Sequence, residues 1–123
     1  MGTSGGTDLG LAHLRVARPS DDLDAVVRFY RDGLGLDVLS EFNDHEGFDG
    51  VMLGRKGAGY HLEFTRNKGH RVGKAPTEDN LLVFYLPDRA EWQRAIDRLL
   101  RHGRTFADPD GYRVVLQNAA RPA

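Results

Sequence analysis

A chain of 123 residues with 17 basic and 18 acidic side chains is about one domain long and has no charge excess to draw it to nucleic acid or an anionic membrane. It contains no cysteine, which excludes disulfides, thiolate metal ligands and thiol nucleophiles and leaves histidine, carboxylates and hydroxyls for any chemistry. No apolar run approaches the roughly 20 residues needed to span a bilayer, the longest being Leu81 to Leu86, so the expectation is a soluble protein suited to a reducing cytoplasm.

Met1 to Gly10 is rich in Gly, Ser and Thr and lacks the basic start and apolar run of a secretory signal. It reads as a flexible leader over residues 1–10. Leu11 to Arg18 alternates as a strand, with Leu14 and Val16 on one face and His13, Arg15 and Ala17 on the other. Pro19 cannot continue a central strand, and Ser20-Asp21-Asp22 offers side-chain oxygens to the free amides of a helix start. Leu23, Val26, Val27 and Tyr30 then fall at i, i+3, i+4 and i+7, an apolar stripe that Gly33 and Gly35 end. Phe29 lies beside this stripe and is assigned to the core. Three short strands are expected at Leu36–Phe42, Gly50–Leu53 and Tyr60–Thr65, with an exposed loop at Asn43–Asp49.

The charged stretch Lys68 to Asp79, containing Gly and Pro, reads as a linker, after which the pattern restarts. Leu81–Leu86 is a strand. Asp88 caps a helix with Glu91 three positions on, and Trp92, Ala95, Ile96 and Leu99 form its buried stripe up to Gly103. Asp108-Pro109-Asp110-Gly111 is a turn leading into a last strand, Tyr112–Gln117. Strand, capped helix and strands thus occur twice. The second copy is short by about 15 positions, roughly one strand and its turn, either by truncation or because a loop is missing.

Four fragments in this order carry a family resemblance. Arg15 through Leu36, with Phe29-Tyr30 and Leu34-Gly35 as its diagnostic part, resembles the opening of a vicinal oxygen chelate module. His61-Leu62-Glu63-Phe64-Thr65-Arg66-Asn67-Lys68-Gly69 resembles a glyoxalase I segment whose Glu is a metal ligand. Phe84-Tyr85-Leu86-Pro87-Asp88 and Phe106 through Tyr112 resemble the second-half strand exit and closing turn. The chain is therefore identified as similar to the vicinal oxygen chelate superfamily of glyoxalase I, bleomycin-resistance proteins and extradiol dioxygenases.

That resemblance implies an α+β domain over residues 11–118. Two βαβββ-type modules, about 11–67 and 79–118, would form an open, partly closed mixed β-barrel with helices outside. The second module would be short by one strand or lack a loop. Enzymes of the superfamily hold a divalent ion through one side chain from the first and last strand of each half. Here the first position falls on His13 or Arg15, the second on Glu63, the third on Leu81 and the fourth on Val115. Leu81 and Val115 have no donor atom, and a guanidinium has no lone pair to give.

Two readings of Glu63 stay open. In one, His13, His61 and Glu63 share a face by strand alternation and hold a divalent ion (Zn, Ni, Mn or Fe), with Glu63 as catalytic residue of a metal-dependent lyase, isomerase or dioxygenase. In the other, Glu63 pairs with Arg15 or Arg113, no metal is bound, and the cleft binds a small molecule as bleomycin-resistance proteins do. Arg15, Tyr85, Arg113 and Gln117 are then the ligand-binding residues, and a homodimer is the expected partner arrangement. His61 has a further reading as a half-buried strand histidine, and the cleft as a filled barrel interior. His45, His70 and His102 are expected to face solvent. No Ser-His-Asp arrangement, phosphate loop or dinucleotide fingerprint occurs.

Overall fold

The computed structural model describes residues 8–121, so most of the leader expected at 1–10 lies outside the described residues. Leu9–Leu11 forms one turn of 3₁₀ helix whose cap, Asp8, accepts from the Gly10 amide. This displaces the start of the first strand. Strand β1 runs Leu14–Pro19 rather than from Leu11, because the local cap satisfies the preceding amides before a ladder can. Pro19 closes β1 at no cost in ladder bonds, since β1 is an edge strand and the next amide, Ser20, donates to the Thr65 carbonyl.

Helix α1, Leu23–Val27, is capped by Asp22, whose carboxylate accepts from the Ala25 amide at 3.0 Å. It then widens into a π turn, Arg28–Gly33, in which the Leu34 amide reaches back five residues to the Phe29 carbonyl. The 3.6-residue stripe predicts Val26 and Tyr30 in the core. The extra residue per turn brings Phe29 in beside them, and all three are buried.

Strands β2 (Asp37–His45), β3 (Phe48–Gly54) and β4 (Tyr60–Asn67) complete a four-stranded sheet of order β1-β4-β3-β2, with β1 parallel to β4 and the other pairs antiparallel. The exposed loop expected at Asn43–Asp49 is instead mostly strand. Glu46 and Gly47, both at positive φ (52° and 85°), make a two-residue hairpin turn. Asp44 also takes positive φ where the register shifts between Phe42 and His45, and its amide donates to Asp49 at 2.8 Å. A turn-rich composition thus encodes a tight hairpin with a bulge, not a loop.

In the second half β5 (Leu81–Tyr85) and β6 (Arg113–Gln117) pair in parallel, with α2 (Arg89–Arg101) between them in sequence. Asp88 caps α2 through the Ala90 amide at 2.9 Å. Leu99 of α2 and Val114 of β6 belong to the same buried cluster as Val26, Phe29, Tyr30, Val51, Leu53, Leu62 and Phe64, so one core spans both halves.

The architecture is α+β, as expected, with helices packed on one face of the strands. The partly closed barrel is not formed: the four-stranded and two-stranded sheets share no strand pairing, so the sheet remains open. The second sheet consists of β5 and β6 alone. Among the described residues no helix is long and apolar enough to cross a membrane.

Candidate functional site

The face of the four-stranded sheet turned away from α1 carries the candidate residues. Register places Arg15 beside His61 and Ala17 beside Glu63, and alternation turns Leu14 and Val16, with Leu62 and Phe64, toward the helix. His13 stands one residue before β1. The result is a chain of polar contacts. His13 Nε2 lies 2.6 Å from His61 Nδ1, Arg15 Nε donates to His61 Nε2 at 3.1 Å, and Arg15 Nη1 lies 3.7 Å from Glu63 Oε2.

Those distances fix the protons. A guanidinium only donates, so His61 Nε2 must accept and the neutral His61 ring carries its proton on Nδ1. That proton is donated to His13 Nε2, which leaves the His13 proton on Nδ1. A second proton on either ring would face another donor. Loss of hydration, followed by the His13 and Arg15 charges, holds the His61 imidazole below its ordinary value of 6.5, with Glu63 opposing.

A histidine whose pKa is lowered in the folded state takes up protons more readily when unfolded, so its contribution to stability falls as pH drops through and below 6.5. We therefore expect ¹⁵N NMR to find the Nδ1–H tautomer of His61 at pH 8 and a titration midpoint below 6.5 that rises in Arg15→Gln. A midpoint unmoved by that substitution would remove Arg15 from the causes.

The same contacts test whether the residues fit a metal. Both ring nitrogens of His61 are engaged, one by His13 and one by a guanidinium, and the carboxylate of Glu63 faces that same cation. No cluster of three His, Cys, Asp or Glu suited to a metal ion occurs among the described residues. The donor set in this arrangement does not fit a divalent ion, and no reaction step is derived through one. Of the two arginines expected as partners for Glu63, it is Arg15 that pairs with it.

Tyr85, Arg113 and Gln117 lie together on the face of the two-stranded sheet turned away from α2, where register sets Tyr85 beside Gln117 and Leu81 beside Arg113. Leu81, Val83 and Tyr85 are exposed there, at 50%, 40% and 40%. No hydrogen bond or ion pair among the described residues joins this set to the His13–Glu63 chain. His45, His70 and His102 are exposed, as expected.

A second polar centre went unread in the sequence. The Tyr30 hydroxyl donates to Asp108 Oδ2 at 2.7 Å across 78 positions, while Asp108 Oδ1 accepts from the Asp110 and Tyr112 amides. Tyr30 looks like an ordinary stripe residue and Asp108 like an ordinary turn residue, and nothing local signals that they meet. The concave spaces also lie away from the His13–Glu63 face. One of about 420 Å³ is walled by Leu14, Val16, Tyr60, Leu62 and the residues of β5 from Leu82 onward, between the facing edges of the two sheets.

Comparison with known proteins bears on this geometry. Residues 14–65 match the family model described as the YycE-like N-terminal domain, and residues 79–104 match the YycE-like C-terminal domain. The chain is similar to the uncharacterized protein YycE of Bacillus subtilis (strain 168), at 42% identity over 124 residues and 88% of each chain. A crystal structure of a Bacillus subtilis YycE protein of unknown function superposes with a TM-score of 0.82 at 38% identity, covering 92% of this chain and 93% of that one. The fold is also shared with the trypanothione-dependent glyoxalase I of Leishmania major (TM-score 0.67, 24% identity, 87% and 86% covered). It is shared too with the fosfomycin resistance protein FosX of Mesorhizobium loti (TM-score 0.67, 14% identity, 96% and 94% covered).

Proposed function

Because the chain belongs to the YycE family within the vicinal oxygen chelate superfamily, we propose that it binds a small polar molecule on the open face of β1 and β4 without a resident metal. One observation carries this reading: Arg15 stands in the middle of the donor set, bonded to His61 and facing Glu63, with half of its side chain in solvent. A cation at that place disfavours a metal by charge. It also leaves guanidinium N–H groups free to receive a ligand's carboxylate or phosphonate oxygens, for which a planar fork is well shaped. In this reading Glu63 orients Arg15 rather than acting in catalysis.

The open face is one wall of a cleft, and ligand sites are ordinarily concave. The second wall in this proposal comes from another copy of the chain, whose β5 and β6 present Tyr85, Arg113 and Gln117 among exposed Leu81 and Val83. Apolar side chains exposed in a row are the usual mark of a surface that becomes covered.

The names of the structural relatives suggest a panel. Amide shift perturbation with fosfomycin, a thiol hemithioacetal and bleomycin is expected to single out His13, Arg15, His61 and Glu63 for at least one compound. Shifts clustered elsewhere, or none from any of the three, would count against the reading.

A further inference from the structure

The apolar side chains that the core leaves half-covered gather along one seam between the halves, on the side of the first sheet away from Arg15. Apart from Leu23 and Val27, every partly buried apolar residue packed on the core lies there. No ladder closes the seam: β1 pairs only with β4 and β5 only with β6. Between these two edges lies the space of about 420 Å³, bounded by Leu14, Val16 and Leu62 on one side and Leu82 on the other. A second space of about 120 Å³ continues inward to Leu36, Ala95 of α2 and Leu116. Tyr60, Phe84 and Leu86 line both, and the Tyr60 and Phe84 rings stand 6.3 Å apart across the seam.

No charged side chain lines either space. Tyr60 is half-buried where the two run together, and its hydroxyl makes no hydrogen bond among the described residues. We infer that this seam is a binding site, separate from the Arg15 face, for a small neutral molecule: an apolar chain or ring carrying a hydrogen-bond acceptor, to which the Tyr60 hydroxyl donates.

The lining decides the class of ligand. A carboxylate or ammonium would give up its hydration with no opposite charge to meet it. A peptide would carry a polar main chain into the inner space, where Tyr60 is the sole polar side chain. An uncharged apolar molecule meets neither cost, and its burial covers the half-exposed side chains of the seam. Dry apolar cavities of about 150 Å³ admit a benzene-sized guest, so the two spaces together suit a molecule of about ten non-hydrogen atoms. Loss of hydration pushes the Tyr60 phenol above its ordinary 10.0, with Arg55 opposing, so at neutral pH the hydroxyl keeps its proton to donate.

Amide chemical-shift titration of the whole chain with 2-octanone at neutral pH tests the site. Saturable shifts are expected at Leu36, Leu82, Phe84 and Leu116, the residues that bound the two spaces. Tyr60→Phe keeps the ring and removes the donor, so affinity should fall by about three- to tenfold. Ala95→Leu fills the inner space and should weaken binding by about tenfold or more. Octanoate, similar in size but charged, should bind about tenfold more weakly than the ketone, or weaker still. The titration of the unmodified protein is decisive even if a variant does not fold. No saturable shift, shifts confined to the outer row of Leu81, Val83 and Tyr85, octanoate bound as tightly as the ketone, or an affinity unchanged in either variant would overturn the site.

Discussion

Asp108→Ala is expected to destabilise the fold by about 3 kcal/mol, among the largest effects of any single polar substitution in the chain. Three hydrogen bonds end on this carboxylate: the Tyr30 hydroxyl at 2.7 Å and the Asp110 and Tyr112 amides at 2.9 and 3.0 Å. Its loss strands a buried phenol, and an unmet buried donor costs about 1–3 kcal/mol on its own. Tyr30→Phe removes the phenol and the unmet donor together, so it should cost only about 1 kcal/mol, while the double variant should be no worse than Asp108→Ala alone. Urea unfolding of the three variants checks this. A cost for Asp108→Ala below that of Tyr30→Phe would mean that the bond contributes little.

Arg15→Ala is expected to weaken binding of whichever panel compound engages the face by about 10–100-fold, the range for loss of a charge-assisted hydrogen bond. Arg15→Lys should recover only part of this, since an ammonium cannot reproduce the bond from Nε to His61 together with a forked contact to ligand. Calorimetric titration of both variants measures it. Full recovery by lysine would reduce the role of Arg15 to bare charge.

What the sequence revealed follows from how local each signal is. Period-two alternation in Leu14–Ala17 and Tyr60–Thr65 places His13, Arg15, His61 and Glu63 on one face, and the strand register brings them into contact. The cap at Asp88 is equally readable, because a cap is a relation between residues two or three positions apart, while at the first helix the sequence offers Ser20-Asp21-Asp22 and Asp22, not Asp21, caps it. The π turn at Arg28–Gly33 was not, since its cause is tertiary: it turns Phe29 and Tyr30 together into a core that Leu99 and Val114 complete from the other half.

The Asn43–Asp49 hairpin reads as a loop in the sequence because Asn, Asp and Gly serve loops and tight turns alike, and only the positive φ of Asp44, Glu46 and Gly47 distinguishes them. The joint between Tyr30 and Asp108 lay beyond reach for the simplest reason, a separation of 78 positions. The open sheet, too, depended on how two short strands meet four, which no local pattern states.

The reading of Glu63 as partner of Arg15 rather than of a metal is the centre of this account. Its most direct test is equilibrium dialysis of the protein against Zn²⁺, Ni²⁺, Mn²⁺ and Fe²⁺ at pH 7.5 by choice, with metal content read by elemental analysis for the natural sequence and for Glu63→Gln. The account predicts no stoichiometric ion in either protein, together with panel-compound affinity unchanged by chelator. One tightly held ion per chain, lost in Glu63→Gln, would contradict it and return the face to metal chemistry.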